Sequence, residues 1–155
     1  MPKIDPSAAP RATGTRYPAP YDEPCRTRSW VKLGDAAGLT QFGVNLVRLP
    51  PGAWSSQRHW HSHEDEFAYV IEGEVVMVTD AGEEVLGVGD CAGFKAGVRD
   101  GHHFQNRSGR DAVLLVVGSR DDADHGEYPD IDLKFDAGRY SGRGGGFRHK
   151  DGRPY

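Results

Sequence analysis

Between positions 40 and 118, hydrophobic and polar residues alternate in short runs, and this spacing predicts β-strands. The runs read TQFGVNLVRL, FAYVIEG, EVVMVTD, EVLGVGD, HHFQN and AVLLVVGSR. Turn residues lie between them, and GFKAGV predicts a further turn. No run in this region has a helical period of useful length. Short strands with glycine at the corners predict an all-β fold, either a closed barrel or a double sheet.

The two ends of the chain differ in composition from this central region. Six of the ten prolines lie in the first 24 positions, which predicts an extended arm over residues 1–28. Tyr17 and Tyr21 in this arm could dock on the domain or on a second subunit, and a mobile tail is the alternative. Residues 120–155 are first acidic and then rich in glycine and arginine, which predicts an irregular extension. The β-domain is therefore expected over residues 29–119.

Composition limits the function classes that the chain can serve. Hydrophobic residues make up 37% of the 155 positions, which fits one compact domain with solvated arms. A net charge of −4 argues against a general nucleic-acid binder. Two cysteines without paired spacing predict a reducing compartment. The first residues carry no apolar leader and no run could span a membrane, so we expect a cytoplasmic protein without membrane contact.

Five of the seven histidines fall within residues 59–63 and 102–103, and the first window opens the stretch HWHSHEDEF. Side chains at positions i and i+2 of a strand point to the same side, so His59 and His61 project together. Glu66 stands at the start of the next predicted strand. An antiparallel return would bring its carboxylate back beside His61. Two imidazoles and a carboxylate in this arrangement are a common transition-metal site.

The register of the strand after Glu66 predicts what lies on its two faces. If Glu66 faces inward, Ala68 and Val70 do as well. The residues on the opposite face are large, so we expect a second sheet or a second subunit to cover them: Phe67, Tyr69 and Ile71.

The polar residues between the histidines and Glu66 are expected to form the connection. His63 is predicted to be a turn residue or to lie at the mouth of a pocket, because the strand must end before Glu66 can return. Glu64 and Asp65 are most simply solvated turn carboxylates, and the alternative is that they support a histidine ligand.

The spacing of His59, His61, Glu66 and Gly73 resembles the first motif of the cupin superfamily. This motif reads histidine, any residue, histidine, three or four residues, glutamate, six residues and glycine. All four positions agree, in a predicted strand–turn–strand context.

The second motif of the same superfamily is present with departures. Gly89 and Gly97 match, but Lys95 occupies the usual proline position, and Asp100 falls where the histidine would stand. A two-residue insertion places His102 at the required spacing before an asparagine.

Membership of this superfamily implies a small jelly-roll β-barrel, usually dimeric, that holds one divalent metal through three histidines and a glutamate. The resemblance carries these roles to His59, His61, Glu66 and His102. His103 and Asp100 remain alternatives for the fourth ligand. Iron, manganese, nickel, cobalt and zinc all suit this ligand set.

These residues predict a metal-dependent enzyme that acts on a small oxygen-rich metabolite inside the barrel. The reaction would be isomerisation of a sugar or sugar phosphate, or a dioxygenase reaction, with Glu66 as the proton acceptor. Gln57, Arg48 and Phe104 are the candidate substrate contacts. We expect a homodimer. The alternative is a non-catalytic barrel that senses or stores a metal or small ligand.

Overall fold

Strands carry nearly all of the regular structure in the computed structural model, which describes residues 3–142, 144 and 146–155. The strands within these residues are β1 (Arg11–Thr13), β2 (Ser29–Lys32), β3 (Phe42–Leu49), β4 (Glu66–Glu72), β5 (Glu74–Thr79), β6 (Gly82–Gly87), β7 (Cys91–Phe94), β8 (His103–Gln105), β9 (Ala112–Ser119), β10 (Gly126–Tyr128), β11 (Leu133–Phe135) and β12 (Phe147–Arg148). A 3-10 turn spans Glu23–Cys25, and one α-helical turn, α1, spans Leu33–Ala36. None of the helices in the described part of the chain is long and apolar enough to cross a membrane.

The strands form three antiparallel sheets. A six-stranded sheet has the order β1-β2-β3-β9-β4-β7, and the two three-stranded sheets have the orders β6-β5-β8 and β10-β11-β12. The first two sheets enclose the main core, whose buried side chains are Leu49, Ala53, Ala68, Val70, Val75, Leu86, Phe104, Ala112 and Leu114. The all-β fold predicted from the alternation is therefore confirmed.

Strand β4 has the predicted register. Ala68 and Val70 are buried in the core, on the face that Glu66 shares. The side chains on the other face remain about 40% exposed in the described chain: Phe67, Tyr69 and Ile71. Of the two covers expected, a second sheet is not found within the described residues. Cover by a second subunit stays a prediction.

Two local expectations differ from the structure. The predicted turn GFKAGV begins inside β7, because Gly93 and Phe94 pair with β4 opposite Phe67 and Glu66. The stretch before His61 is not a regular strand either, and contributes only isolated bridges to residues near β8. The short β7 lies at the sheet edge and includes a glycine, so its sequence is hard to tell from a turn.

The arm and the extension pack on each other beside the barrel. Strand β1 of the arm pairs with β2 and so continues the large sheet. A second hydrophobic cluster joins both ends of the chain: Tyr17, Tyr21, Tyr128, Ile131, Leu133, Phe135 and Phe147. Gly126 allows β10 to pass close to the histidine segment, since a Cβ there would collide with the Trp60 carbonyl oxygen and the Phe135 ring.

Candidate metal centre

Backbone hydrogen bonds place the histidine segment next to the second histidine window. The His59 N–H donates to the His102 carbonyl oxygen at 3.2 Å, and the His102 N–H donates back to His59 at 2.9 Å. Glu66 begins β4, and its side chain shares the inward face of that strand. The segment around His102, distant in the sequence, therefore meets His59, His61 and Glu66 at one place.

The functional atoms of the predicted ligands converge. The Nε2 atoms of His59 and His61 are 3.1 Å apart. Glu66 Oε2 lies 3.4 Å from His61 Nε2 and 3.9 Å from His59 Nε2. His102 Nε2 lies 2.8 Å from the same carboxylate oxygen. The structure thus brings together all four side chains that the motifs single out.

Hydrogen bonds at Nδ1 orient two of the imidazoles. His59 Nδ1 lies 2.9 Å from the Gln57 carbonyl oxygen, and His61 Nδ1 lies 2.7 Å from Asp124 Oδ2. Both partners can only accept, so each Nδ1 carries a proton and donates it. In the neutral ring this leaves a lone pair on Nε2, which is the state that binds metal.

The cluster fits a metal ion by charge and by spacing. The Nε2 lone pairs of His59 and His61 face the carboxylate oxygen of Glu66, and this concentration of acceptors favours a cation in their midst. Metal–nitrogen bonds of about 2.1 Å would put neighbouring ligands of an octahedral ion roughly 3.0 Å apart, since that edge is √2 times the bond. The observed separations of 3.1 and 3.4 Å are close to this edge, and the third, 3.9 Å, is longer. Imidazole nitrogen and carboxylate oxygen suit a divalent transition metal.

Burial and neighbouring charges set the protonation of the cluster. Burial, together with the nearby His61, holds the pKa of His59 well below its usual range. Burial opposes the ionisation of Glu66, but the hydrogen bond from His102 and the surrounding imidazoles outweigh it and lower the pKa of this carboxyl. Burial also opposes protonation of His61, yet its bond to Asp124 raises the pKa. An ionised Glu66 and a neutral His59 are the forms that a metal requires.

His102 is held differently from the other two histidines. Its ring stacks flat on Phe94, with 3.5 Å between the centroids and 4° between the planes. Its Nδ1 is buried and has no hydrogen-bond partner among the described residues. Stacking restricts the tilt of the ring, and its hydrogen bond in the described part of the chain runs from Nε2 to Glu66, inside the cluster.

A buried charge cluster supports His61 from the extension. Asp124 is fully buried, and it accepts hydrogen bonds from His61 and from the His63 backbone N–H. Arg139 lies 2.7 Å from Asp124 and 2.6 Å from Glu64. Glu64 is itself buried, contrary to its simplest reading as a solvated turn carboxylate. The positive charge of Arg139 offsets the negative charges of Glu64 and Asp124. We therefore interpret these three side chains as support for His61.

Two of the three predicted substrate contacts lie elsewhere. Phe104 lines the cavity beside the cluster. Gln57 does not, because its side-chain amide donates to the Tyr21 carbonyl oxygen at 2.7 Å. Arg48 projects from the outer face of β3, where its exposed guanidinium pairs with Asp111 at 3.0 Å. Neither Gln57 nor Arg48 is retained as a substrate contact.

The alternative ligands are engaged outside the cluster. His103 Nδ1 donates to the Ser56 carbonyl oxygen, and the other ring nitrogen accepts from the Gln105 amide. Asp100 accepts a backbone N–H from Asp80 at 2.7 Å. The expectation that His63 lies in a turn agrees with its exposed position on the connection before β4.

The cluster opens into a cavity of about 800 Å³, within the usual range for small-molecule pockets. The arm and the extension supply part of its wall, including Tyr17 and Tyr128. Tyr128 stacks on His59 with ring centroids 5.5 Å apart. Burial raises the pKa of Tyr17 to about 12 and that of Tyr128 well above its usual range. Both phenols therefore stay protonated, and because they hydrogen-bond to each other, one O–H is left to donate to a ligand.

The sequence had pointed to Tyr17 only as a docking residue, and it gave no sign of Asp124, Tyr128 or Arg139. The available signal was the apolar spacing of Tyr128, Leu133 and Phe135, which could have shown that the extension folds back on the barrel.

Comparison with known proteins places this architecture in a family. A family profile for the cupin domain matches residues 45–118. A sugar phosphate isomerase of the cupin superfamily from Silicibacter pomeroyi is 45% identical, over 99% of this chain and 96% of that one, with a TM-score of 0.92. A putative sugar phosphate isomerase from Acidithiobacillus ferrooxidans is 31% identical, over 72% of this chain and 70% of that one, with a TM-score of 0.68.

A more distant structure shares the fold alone. The polyketide cyclase RemF from Streptomyces resistomycificus is 22% identical, over 77% of this chain and 79% of that one, with a TM-score of 0.61. The chain matches none of the curated proteins with which it was compared.

Proposed function

The chain belongs to the cupin superfamily, and from that premise we propose that it is a metal-dependent isomerase of sugars or sugar phosphates. One observation carries the proposal. Two imidazole lone pairs and a carboxylate oxygen converge at the wall of a cavity of about 800 Å³. The names of the two sugar phosphate isomerases to which the chain is similar support the choice of reaction.

A bound divalent ion would polarise the carbonyl oxygen and the neighbouring hydroxyl of the substrate. Isomerisation then moves one proton from the hydroxyl-bearing carbon to the former carbonyl carbon, and the hydroxyl proton passes to the former carbonyl oxygen. The substrate and the product have the same atoms and the same overall oxidation level, so no oxidant or reductant is needed.

Glu66 can carry the proton between the two carbons. Its Oε2 accepts the hydrogen bond of His102 and stays with the histidines. Its Oε1 has no hydrogen-bond partner within the described residues, and the side chain lines the cavity. The two oxygens of one carboxylate can thus serve two purposes, with Oε1 as the proton acceptor.

The two protonated phenols can orient the substrate. Tyr17 and Tyr128 line the cavity, and Tyr128 packs directly on His59. A phenol O–H donates to a sugar oxygen without competing for the proton that Glu66 moves, because neither phenol ionises near neutral pH.

The test is proton exchange at carbon. Protein loaded with one divalent metal at a time is incubated in D₂O with aldoses and aldose phosphates, and loss of the C–H signal is followed by NMR. We expect exchange together with ketose formation in wild type and in His63→Ala, whose side chain is exposed and outside the cluster. Glu66→Gln should abolish the exchange.

Full metal occupancy without exchange in any sugar would overturn the proposal. Oxygen consumption under the same conditions would assign the dioxygenase reaction instead. Tight binding of a metabolite without turnover would assign a sensor or storage barrel.

We also propose that the protein is a cytoplasmic homodimer. The exposed outer face of β4 supports the dimer, because large apolar side chains in one patch commonly mark an interface. Light scattering should give twice the mass of one chain, and substitution of Tyr69 by Lys in that face should give monomers.

A further inference from the structure

Basic and aromatic side chains alternate along one wall of the cavity, the wall that β2 forms. Arg28, Trp30 and Lys32 stand at every second position at and just before β2, and all three line the cavity. Trp30 lies opposite Val47 in the register of β2 and β3, and Val47 packs against the main core. The period of two along a strand therefore turns this row of side chains inward.

Arg28 is held in place before any ligand arrives. Its Nε donates to the Gly14 carbonyl oxygen at 3.0 Å. The guanidinium carbon lies 5.0 Å from the ring centroid of Trp30 and 5.8 Å from that of Tyr17. These contacts leave both terminal nitrogens without a hydrogen bond to any described residue. A planar guanidinium fixed in this way presents a fork of donors at little entropic cost.

Away from Glu66, the charge that lacks an oppositely charged partner in the described lining of the cavity is positive. Three basic side chains of its lining have carboxylate partners: Arg139, Arg120 and Lys32. Arg28 and Arg16 also line the cavity, and neither pairs with a carboxylate in the described part of the chain. Two unpaired guanidinium groups in one cavity are notable in a chain whose net charge is −4. They attract an anionic group into this end of the cavity.

We propose that Arg28, assisted by Arg16, binds the phosphate group of the substrate while the sugar end lies at the metal cluster. Two rings in contact, Tyr17 and Tyr128, connect Arg28 to His59, with centroid distances of 5.4 Å between the tyrosines and 5.5 Å from Tyr128 to His59. Arg28 and His59 both line the cavity of about 800 Å³, so one sugar phosphate could reach both ends.

A phosphate suits the two arginines better than a carboxylate does. It carries a charge of about −1.5 to −2 near pH 7 and offers three acceptor oxygens. Arginine binds phosphate through two parallel N–H donors. The inference rests on the proposed function for its role in catalysis, but the subsite itself can be tested by binding alone.

The experiment measures binding of inorganic phosphate, glucose 6-phosphate, glucose and gluconate to the full chain, before and after chelation. Calorimetry gives the affinity, and the change in tryptophan fluorescence, to which Trp30 beside Arg28 contributes, reports occupancy. We expect phosphate to bind with or without metal, and glucose 6-phosphate to bind more tightly than glucose or gluconate. Arg28→Gln should weaken phosphate binding about ten- to a hundredfold, since it removes charge-assisted hydrogen bonds.

Two further variants keep the result interpretable. Arg48→Gln removes an exposed arginine on the outer face of β3 and should bind phosphate as wild type does. Arg28→Lys keeps the charge without the fork and should bind with intermediate affinity. Thermal unfolding followed by circular dichroism confirms that each variant is folded.

Three outcomes would overturn the subsite: unchanged phosphate affinity in folded Arg28→Gln, loss of phosphate binding on chelation, or gluconate binding as tight as that of glucose 6-phosphate. Phosphate binding at Arg28 without proton exchange would reject the isomerase and keep the subsite. If wild type and Arg28→Gln catalyse proton exchange on neutral sugars at the same rate, the isomerase is kept and the phosphate subsite is rejected.

Discussion

His61 and His102 face the same carboxylate oxygen of Glu66, but their other ring nitrogens have different surroundings. The Nδ1 of His61 donates to a fully buried aspartate, Asp124. The Nδ1 of His102 meets no partner in the described chain, and Phe94 holds this ring by stacking. His61 is fixed from outside the cluster by a charged hydrogen bond. His102 is backed by an apolar surface, and the hydrogen bond of its ring goes to Glu66, within the cluster itself. We infer that the His61 side is preorganised for metal and that the His102 side adjusts when metal binds.

The support for the preorganised side comes from outside the family segment. The cupin profile covers residues 45–118 and so includes the four candidate ligands. Asp124 follows that segment, in the extension that packs against the arm. The barrel therefore supplies the candidate ligands, while the ends of the chain supply an orienting hydrogen bond and part of the cavity wall.

The largest effect should come from the preorganised side. His61→Ala removes an imidazole whose orientation is already fixed, so we expect almost no metal in protein purified without a histidine tag. Elemental analysis measures the content per chain. His63→Ala is the matched control, since this neighbouring histidine is exposed, and it should keep the wild-type content. Equal loss in both variants would contradict the assignment.

His102→Ala should weaken metal binding but leave some. The three remaining ligand atoms, from His59, His61 and Glu66, lie within 4.8 Å of one another and form an incomplete site. Competition with a chromogenic chelator measures the change in affinity. Asp100→Ala should bind as wild type does. Unchanged affinity in His102→Ala with a loss in Asp100→Ala would reject the two-residue insertion in the second motif.

Asp124→Asn should weaken metal binding about ten- to a hundredfold, the usual cost of losing a partner that orients a histidine ligand. The amide has nearly the same shape but no charge, so it holds the imidazole less firmly. Chelator competition applies here as well. Asp121→Asn, three residues earlier and exposed, is the control and should change nothing. An unchanged affinity in Asp124→Asn would remove the claim that the extension supports the site.

Phe94→Leu should have the smallest effect, a loss of about two- to tenfold in metal affinity, because aromatic stacking contributes about 0.5–1.5 kcal/mol. Leucine keeps an apolar contact with His102 but not the flat surface. Phe42→Leu, at an exposed position of β3, controls for the loss of a ring elsewhere. A loss in Phe94→Leu larger than that in Asp124→Asn would reverse the comparison between the two sides.

Local periodicity accounts for what the sequence could predict. The alternation along β4 placed Glu66, Ala68 and Val70 on the inward face, and the structure confirms that Ala68 and Val70 are buried there. The motif spacing identified the four side chains that converge. For β4, and for His59, His61 and Glu66, the residues lie close together in the chain, where strand geometry decides which side chains meet. His102 was assigned instead from the resemblance to the second cupin motif.

The remaining features depend on contacts between distant segments. Asp124 reaches His61 across 63 positions, because the extension folds back over the barrel, and no local pattern encodes that return. The prediction that Gln57 contacts the substrate also depended on a regular strand. The segment before His61 makes only isolated bridges, so the alternation expected of a strand does not continue along it.

X-ray absorption spectroscopy at the edge of the bound metal tests the central claim most directly, because it counts imidazole ligands. We predict three imidazoles with a carboxylate in wild type, two imidazoles in His102→Ala, and three in Asp100→Ala. Two imidazoles in wild type, unchanged in His102→Ala, would contradict the account.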